Sequence, residues 1–475
     1  MFRVVPRWAR SNGHAVFCER KLSRKLHNGR TLVEELTCRG FIANVTRPHE
    51  LNNHLGKCSR MVYAGIDPTA KSLHAGHLIP LLCLLHFQLR GNNIITLIGG
   101  ATGLVGDPSG RLTERELSDA AQVELNASKL TYAISRFFSR ASVYAASRGS
   151  TQQSVIPEVQ VLNNINWLKD LNLLDFLRST GPHFRINQMI ARDSVCTRMN
   201  AQQGINFTEF TYQLLQAYDF YELYRTKGCT VQIGGSDQWG NILSGLELIN
   251  KAQFSRATVA EQSSKKGFAL TTPLLTTSSG EKFGKSAGNA IWLDESLSSH
   301  LDFYQFFLRT ADADVVKYLK MFTLLPVEEI ESIAKDHESH PEHRIAQRIL
   351  ANEVTLLVHG EDGLSAAKVA TKVLFGTDYS SLRADQIIRS LRNDPRLVFC
   401  SQDEMFAELL PNLTAIHGLL PSKSAARQLV LAGGLYVNNV PVRDPRLRLT
   451  REGLLDDRVA VVRAGKDKHL VLVLK

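Results

Sequence analysis

The 475-residue sequence predicts an α/β protein. An open parallel-sheet domain comes first, an α-helical domain next, and a small α+β domain last. Three observations carry this. A strand–helix–strand pattern runs over residues 61–99, glycine-rich loops follow two of the strands, and the residue texture changes near 296 and again after Pro411. The expected boundaries are 31–295 for the parallel-sheet domain, with an insertion at about 114–200, then 296–395 and 405–475 for the other two.

Met61-Val-Tyr-Ala-Gly-Ile-Asp67 reads as a buried strand, and Pro68 to Leu73 as a loop carrying breaker residues. His74 to Arg90 is a helix of almost continuous apolar character, stopped by Gly91-Asn92. Asn93 to Gly99 is the next strand, from its β-branched run. Strand, crossover helix and strand form a right-handed βαβ unit, which requires a parallel sheet. Gly99-Gly-Ala-Thr-Gly-Leu-Val-Gly-Asp-Pro-Ser-Gly110 then lies at a strand's carboxyl end, where open α/β sheets bind ligands. Residues 114–200 read mainly as helices, with one strand near Gln160. Phe207 to Arg225 is a helix, and Thr230 to Ile233 a short strand. Gly234-Gly-Ser-Asp-Gln-Trp-Gly-Asn241 repeats the glycine-rich turn before a further helix. From about 296 to 395 acids and bases interleave in a helical pattern. Ser422 to Leu431 is a short basic helix ended by Gly433-Gly434, and Leu435 to Val442 is a tight β-turn segment.

Hydrophobic residues make up 44% and charged residues 21%, the composition of an ordinary globular protein. The longest strongly apolar stretch, Leu78 to Phe87, is too short to span a bilayer, so no membrane partner is expected. The net charge of +10 is concentrated at the two ends. Residues 1–30 carry eight Lys/Arg against Glu19 alone, and residues 409–475 carry eleven against five acids. The body between them is mildly acidic. The head is Arg-rich without a continuous apolar core, which is the composition of a mitochondrial transit peptide. A basic arm that binds RNA is the alternative. Seven dispersed cysteines without a C-x-x-C pair argue for reduced, mostly buried thiols and against zinc, and no metal site is assigned.

His74-Ala-Gly-His77 places two imidazoles at i and i+3 at the start of an apolar helix, where unpaired N–H groups favour anions. Two surface histidines or a metal pair are the bland readings. The small Ala75 and Gly76 weigh against them, because they let a bulky anion approach the backbone. Lys282-Phe-Gly-Lys285-Ser286 supplies two cations on a glycine-containing loop, the charge that a leaving pyrophosphate needs. It is not a P-loop: three residues, not four, separate Gly280 from Gly284, and no strand immediately precedes it. Tyr212, Gln216 and Asp219 fall within about 60° on one helix face. That polar stripe either faces solvent or lines a pocket for a small polar ligand. Asp107 and Asp237-Gln238 follow glycine-rich strand ends, where an acid can bind an ammonium or a ribose. Asp237 could instead cap the following helix.

Together these tracts resemble the class I aminoacyl-tRNA synthetases, and among them the bacterial and mitochondrial tyrosyl-tRNA synthetases. The matching stretches are Tyr63-Ala-Gly-Ile-Asp-Pro-Thr-Ala, Ser72-Leu-His-Ala-Gly-His, Gly99 to Gly110, Phe207-Thr-Glu-Phe, Leu215-Gln-Ala-Tyr-Asp-Phe, Gln232 to Asn241 and Lys282-Phe-Gly-Lys-Ser. Their order and spacing cover residues 31–475. The resemblance implies a Rossmann-like catalytic domain, an anticodon-side helical domain and a C-terminal RNA-binding domain. It implies activation of L-tyrosine with ATP, accompanied by Mg²⁺, and transfer to tRNA by a homodimer in the mitochondrial matrix. His74 and His77 match the histidines that contact ATP phosphates, with Gly76 between them. Lys282 and Lys285, followed by Ser286, match the loop that clamps pyrophosphate, and Thr69 aids the same phosphates. Asp67 matches an acid on the ATP side and Asp237 the ribose ligand. Asp107, Tyr212 and Gln216 match residues around the substrate ammonium. Tyr63 and Asp219 match the pair on the phenol hydroxyl, while Gln232 and Gln238 line the amino-acid pocket. Departures are few: Ala75 stands where isoleucine is commoner, Phe283-Gly284 replaces Met-Ser, and Asn439 stands where the family usually has glycine. Ser422 to Arg427 and Leu435 to Asn439 resemble an RNA-binding module shared with a ribosomal small-subunit protein, with Lys423 and Arg427 its candidate contacts. A tryptophanyl sister enzyme is the nearest rival, which Tyr63 with Asp219 disfavours. An RNA-binding factor that kept the fold is the rival from another class.

Overall fold

The computed structural model describes residues 29–475 apart from 111–112, 115–117, 150–155, 202–203, 255–266, 279, 281–282, 284, 287–288, 377 and 380. The basic head up to residue 28 therefore lies outside the described residues. Two compact units divide the chain: residues up to Asp294 with Leu308–Val358, and Glu295–Phe307 with His359–Lys475.

The first unit is built on a six-stranded sheet. Its strands are β1 (Asn44–Val45), β2 (Met61–Ile66), β3 (Asn93–Ile98), β4 (Gln160–Asn163), β5 (Cys229–Gly235) and β6 (Phe268–Thr272), in the order β1-β6-β5-β2-β3-β4. All neighbours run parallel except the short edge strand β1 on β6. The chain moves from β2 outward through β3 to β4, then returns to the other side of β2 at β5. That reversal opens a crevice at the carboxyl ends of β2 and β5, where doubly wound sheets hold ligands. β1 and β6 are additions to the sequence reading, which had no strand at either place.

The predicted helix after β2 is a 3₁₀ turn, Ala75–His77, followed by an α-helix, Leu78–Leu89. Every residue of that α-helix except Pro80 is buried, which explains an apolar content without a polar face. Helix Phe207–Lys227 is capped at its start by the Asn206 side chain, which accepts from the Glu209 N–H, and ends at Gly228 in the left-handed conformation (φ 65°). Glu209 also pairs with Arg198 at 2.7 Å, and both side chains are buried.

The expected helical domain, 296–395, has residues in both compact units. Residues 308–358 pack with the sheet unit, where the Arg39 guanidinium donates to the carbonyls of Lys320, Thr323 and Leu325. Tyr144 and Arg148 likewise both donate to Glu353. Arg39, Tyr144 and Arg148 are distant in sequence from their acceptors, so a helical texture alone did not reveal the allegiance.

The second unit contains a five-stranded sheet of β9 (Leu397–Cys400), β10 (Leu435–Val437), β11 (Val440–Pro441), β12 (Val459–Ala464) and β13 (Lys468–Leu474), in the order β11-β10-β12-β13-β9. The hairpin β7 (Lys285–Ser286) and β8 (Asn289–Ala290) belongs to the first unit. Along β12 and β13 alternate residues enter different cores: Ala460, Val462, Leu470 and Leu472 on one face, Val459, Val461, Val471 and Val473 on the other. Asn438 and Asn439 turn β10 into β11 at φ 49° and 65°, so asparagine serves where the family usually has glycine. Helix Lys423–Leu431 presents Lys423 and Arg427 to solvent on one face.

The buried Arg198–Glu209 pair gives a direct test of what fixes helix Phe207–Lys227. Replacing Glu209 by Ala leaves the guanidinium buried without its carboxylate. The expected loss is about 3–5 kcal/mol of unfolding free energy, read from urea denaturation; a change under about 1 kcal/mol would show that the pair is dispensable.

Candidate active site

At the carboxyl end of the sheet lies a cavity of about 360 Å³, within the range of small-molecule sites. β2 contributes Tyr63, with Asp67 and Thr69 just beyond it; β5 contributes Gln232, with Asp237 and Gln238 in the following turn. Helix Phe207–Lys227 contributes Tyr212, Gln216 and Asp219, and the 3₁₀ turn contributes His77. Ten of the sequence-predicted residues thus meet in one cavity. The stripe on the helix faces the cavity rather than solvent.

Asp67 receives Thr102 Oγ1 on one oxygen and the Tyr212 hydroxyl on the other, each at 2.8 Å. Gly99 makes this possible: a Cβ there would sit 1.9 Å from Asp67 Oδ1 and 2.4 Å from Thr102 Oγ1. Asp219 is buried and accepts from Asn164 Nδ2 at 2.9 Å and from the Trp167 indole N–H at 2.8 Å. Asn164 Nδ2 also donates to Thr102 Oγ1 at 3.0 Å, linking the two carboxylates through neutral groups. Burial raises the Asp219 carboxyl to about 7 despite these bonds, with Asp67 and Glu222 adding to the effect. Burial also pushes the Tyr63 and Tyr212 phenols well above their ordinary range, so both remain protonated. Two atoms at the cavity, Tyr63 Oη and Gln232 Oε1, are buried with no hydrogen-bond partner among the described residues. The described lining includes no Lys or Arg.

The histidines interlock. His74 Nδ1 accepts from the Gly76 N–H, and His77 Nδ1 accepts from the His74 N–H, each at 3.1 Å. An Nδ1 that accepts from the backbone leaves the proton of a neutral ring on Nε2, so both rings are Nε2–H donors. Burial, reinforced by the adjacent His74 ring, pulls His77 down to about 3. Ala75 N–H donates to the Ile291 carbonyl, and His74 bridges Trp292, so the chain after β8 lies against this motif. The Phe283 carbonyl lies 3.8 Å from where a Gly76 Cβ would stand, and the Phe283 ring stacks on Phe322. The lysine-bearing loop therefore adjoins the histidine motif. Lys282 lies outside the described residues, as do the side chains of Lys285 and Ser286.

Several expectations change in detail. Asp107 is buried and does not line the cavity; its oxygens accept from the Ser109 N–H and from Gln238 Nε2 at 2.7 Å. Asp237 lies inside the 3₁₀ turn Ser236–Gln238 that leads into helix Trp239–Phe254. Gly76 and His74 stand beside the cavity rather than in its lining. Thr102, Asn164 and Trp167 were not anticipated. The glycine-rich tract contains Thr102, but Asn164 and Trp167 sit just past β4, where no motif drew attention.

Crevice, glycine-rich strand ends, interlocked histidines and adjoining lysine loop are the parts of a class I tRNA synthetase. The model of tRNA synthetases class I (W and Y) matches residues 58–376, and that of the tyrosine–tRNA ligase SYY-like C-terminal domain matches residues 391–472. Tyrosine–tRNA ligase 1 of Bacillus subtilis is 42% identical over 444 residues, 94% of this chain and 99% of its own. The mitochondrial tyrosine–tRNA ligase of Saccharomyces cerevisiae is 39% identical over 450 residues, 94% and 89% of the two chains. The crystal structure of a C-terminally truncated Aspergillus nidulans mitochondrial tyrosyl-tRNA synthetase superposes with a TM-score of 0.66 at 36% identity, covering 76% of this chain and all of that one. The chain belongs to this class I family, and within it to the tyrosyl-tRNA synthetases.

The tautomer assignment is open to measurement. The ¹⁵N shifts of the His77 ring should remain those of a neutral Nε2–H imidazole from pH 8 down to about 5, because its proton is gained only near 3. A titration centred between 6 and 7 would contradict the interlocked arrangement.

Proposed function

We propose that this chain activates tyrosine with ATP, forming tyrosyl-adenylate and pyrophosphate, and then esterifies the 3′ end of tRNA in mitochondrial translation. The observation that carries the choice of amino acid is the pair of orphaned buried atoms, Tyr63 Oη and Gln232 Oε1, in a cavity lined by the carboxylates of Asp67, Asp219 and Asp237. A phenol hydroxyl donates to Asp219 and accepts from Tyr63. An ammonium supplies the positive charge that the described lining lacks, meeting Tyr212, Gln216 and the Gln232 oxygen, with Asp107 holding Gln238 behind them. Phenylalanine would leave the Tyr63 hydroxyl without a partner and Asp219 without a further donor, at the cost of their desolvation.

No protein nucleophile is required. The tyrosine carboxylate attacks the α-phosphorus, the bond to the β-phosphate oxygen breaks, and pyrophosphate leaves. Thr69, His74 and His77 donate to the phosphates, Asp237 holds the ribose, and Asp67 stands on the nucleotide side. Lys282 and Lys285, with Ser286, follow the charge as it moves to the leaving group, so catalysis is positioning with electrostatic stabilisation. ATP arrives with Mg²⁺ on its phosphates. Asp67 and Asp219 already accept hydrogen bonds from neutral donors, so the nucleotide rather than a dedicated protein site carries that ion.

The wider setting follows from composition and surface. The Arg-rich residues 1–30 fit a presequence, and yeast and Aspergillus relatives are mitochondrial enzymes. Leu173, Leu174, Leu177 and Ile186 each expose more than half their surface, which fits burial against a second copy of the chain. Lys423 and Arg427, on the exposed face of a basic domain, are suited to tRNA phosphates. Among the described residues, no helix is long and apolar enough to cross a membrane.

ATP–pyrophosphate exchange with a panel of amino acids tests the reading. Tyrosine alone should drive exchange; exchange driven by tryptophan, or by none, rejects it. The Asp219 titration adds a second test. In the free enzyme its carboxyl titrates near 7. A donated phenol favours the ionised form, so tyrosine affinity should fall below pH 7, by up to about tenfold per pH unit, and be flat above it. Asp219→Asn should abolish that dependence. Affinity constant from pH 5.5 to 8.5 in the wild type would remove Asp219 from the phenol.

A further inference from the structure

Outside the catalytic cavity, a thiol, a carboxylate and an imidazole converge at the start of the C-terminal sheet. Cys400 closes β9 with its side chain fully buried. Glu404 lies on helix Gln402–Ala407, whose capping Ser401 accepts from the Glu404 N–H. His417 follows helix Leu410–Ile416 as its C-cap. His417 Nε2 is 3.6 Å from Cys400 Sγ and 3.1 Å from Glu404 Oε1, and all three donor atoms lie within 4.8 Å of one another.

One ring nitrogen faces both partners. A proton on it can serve only one of them. A nucleophile–base–acid relay would place the carboxylate on the other nitrogen, so this is not a catalytic triad. The arrangement suits three donors aimed at one centre. A tetrahedral zinc ion with bonds of about 2.3 Å to sulfur and about 2.0 Å to nitrogen puts those donors about 3.6 Å apart, which is the separation observed. We propose that Cys400, Glu404 and His417 bind a zinc-class divalent cation that ties β9 to the two helices after it.

The donor set is mixed thiolate, imidazole and carboxylate, which favours zinc over magnesium or calcium. Access is available on one side: the side chains of Glu404 and His417 are 34% and 13% exposed, enough for an ion to enter and for water to complete four-coordination. Burial holds the Cys400 thiol up at about 11, so without an ion it is a neutral, unreactive group. Binding displaces that proton to solvent and leaves the thiolate on the metal. Cys400, Met405, Leu410 and Leu413 all belong to one apolar core, so the clamp would stabilise the face of the sheet they cover. The spacing C-x₃-E-x₁₂-H matches no familiar zinc signature, which is why the cysteine pattern alone argued against a metal.

The test uses the full-length chain, stripped with a chelator and kept reduced with a phosphine, then titrated with Co²⁺. The expected result is a thiolate-to-cobalt charge-transfer band in the near ultraviolet that saturates at one ion per chain and is displaced by Zn²⁺. A second His- and Glu-bearing cluster, Glu295, His300 and His359, contains no thiol and cannot produce that band. Cys400→Ser should abolish it. The more exposed His417→Gln and Glu404→Gln variants should weaken affinity by more than the roughly 10–100-fold typical of outer-shell changes. Zn²⁺ should raise Tm in the wild type and not in His417→Gln. Absence of the band, or its survival in Cys400→Ser or His417→Gln, overturns the proposal; should Cys400→Ser fail to fold, His417→Gln decides.

Discussion

The site depends on keeping the carboxylates of Asp67 and Asp219 close together, in a cavity that Asp237 also lines, without a protein cation among the described lining residues. Burial raises the proton affinity of Asp219, and the nearby Asp67 adds to it. Neutral groups donate to both acids: Thr102 and Tyr212 to Asp67, Asn164 and Trp167 to Asp219. The shared Thr102–Asn164 contact makes the whole a continuous hydrogen-bonded path. Such a network holds the acids in place without a compensating cation among the described lining residues, which is what the proposed ammonium ligand would supply. The strands and helices that carry these donors must then end within hydrogen-bond reach of one another. That requirement explains a glycine at 99, where any side chain would overlap Asp67.

A different solution operates at the nucleotide end. A fully protonated imidazole at His77 would be a cation held in a poorly solvated wall, and desolvation suppresses it. The ring remains useful because the backbone N–H of His74 occupies its Nδ1 and fixes the other nitrogen as the donor. Under the proposed reaction, full positive charge is left to lysines on a separate loop. Phe283, stacked on Phe322, anchors that loop beside the histidine motif.

Much of this was legible in the sequence where periodicity or a motif spoke. The β2–helix–β3 unit, the histidines at a helix start and the Tyr212/Gln216/Asp219 stripe all sit where their spacing placed them. The choice between solvent and pocket for that stripe was not readable, because angular spacing gives a face but not what the face meets. Asn164 and Trp167 were invisible for another reason. They act on Asp219 from more than fifty positions away, through a contact made only once β4 has paired with β3. The two-residue strand β1 is too short to show alternation. The division of 296–395 was hidden too, since Arg39 and Tyr144 reach those helices from the far end of the sequence.

Neutral donors around acids also bear on specificity. A cation placed permanently against Asp219 would hold its carboxyl ionised and would compete with a ligand for the same lone pairs. With Asn164 and Trp167 as its hydrogen-bond donors among the described residues, the carboxylate keeps further acceptor capacity on its oxygens. Its raised proton affinity means that a strong donor gains more from binding it than from binding a solvated acid, since the donated bond offsets part of the desolvation. Tyr63 supplies the complementary hydroxyl, buried and without a hydrogen-bond partner among the described residues. The proposed preference for a phenol then comes from two incomplete groups that one hydroxyl can complete at once. An indole N–H could satisfy the acid but has no lone pair to offer Tyr63.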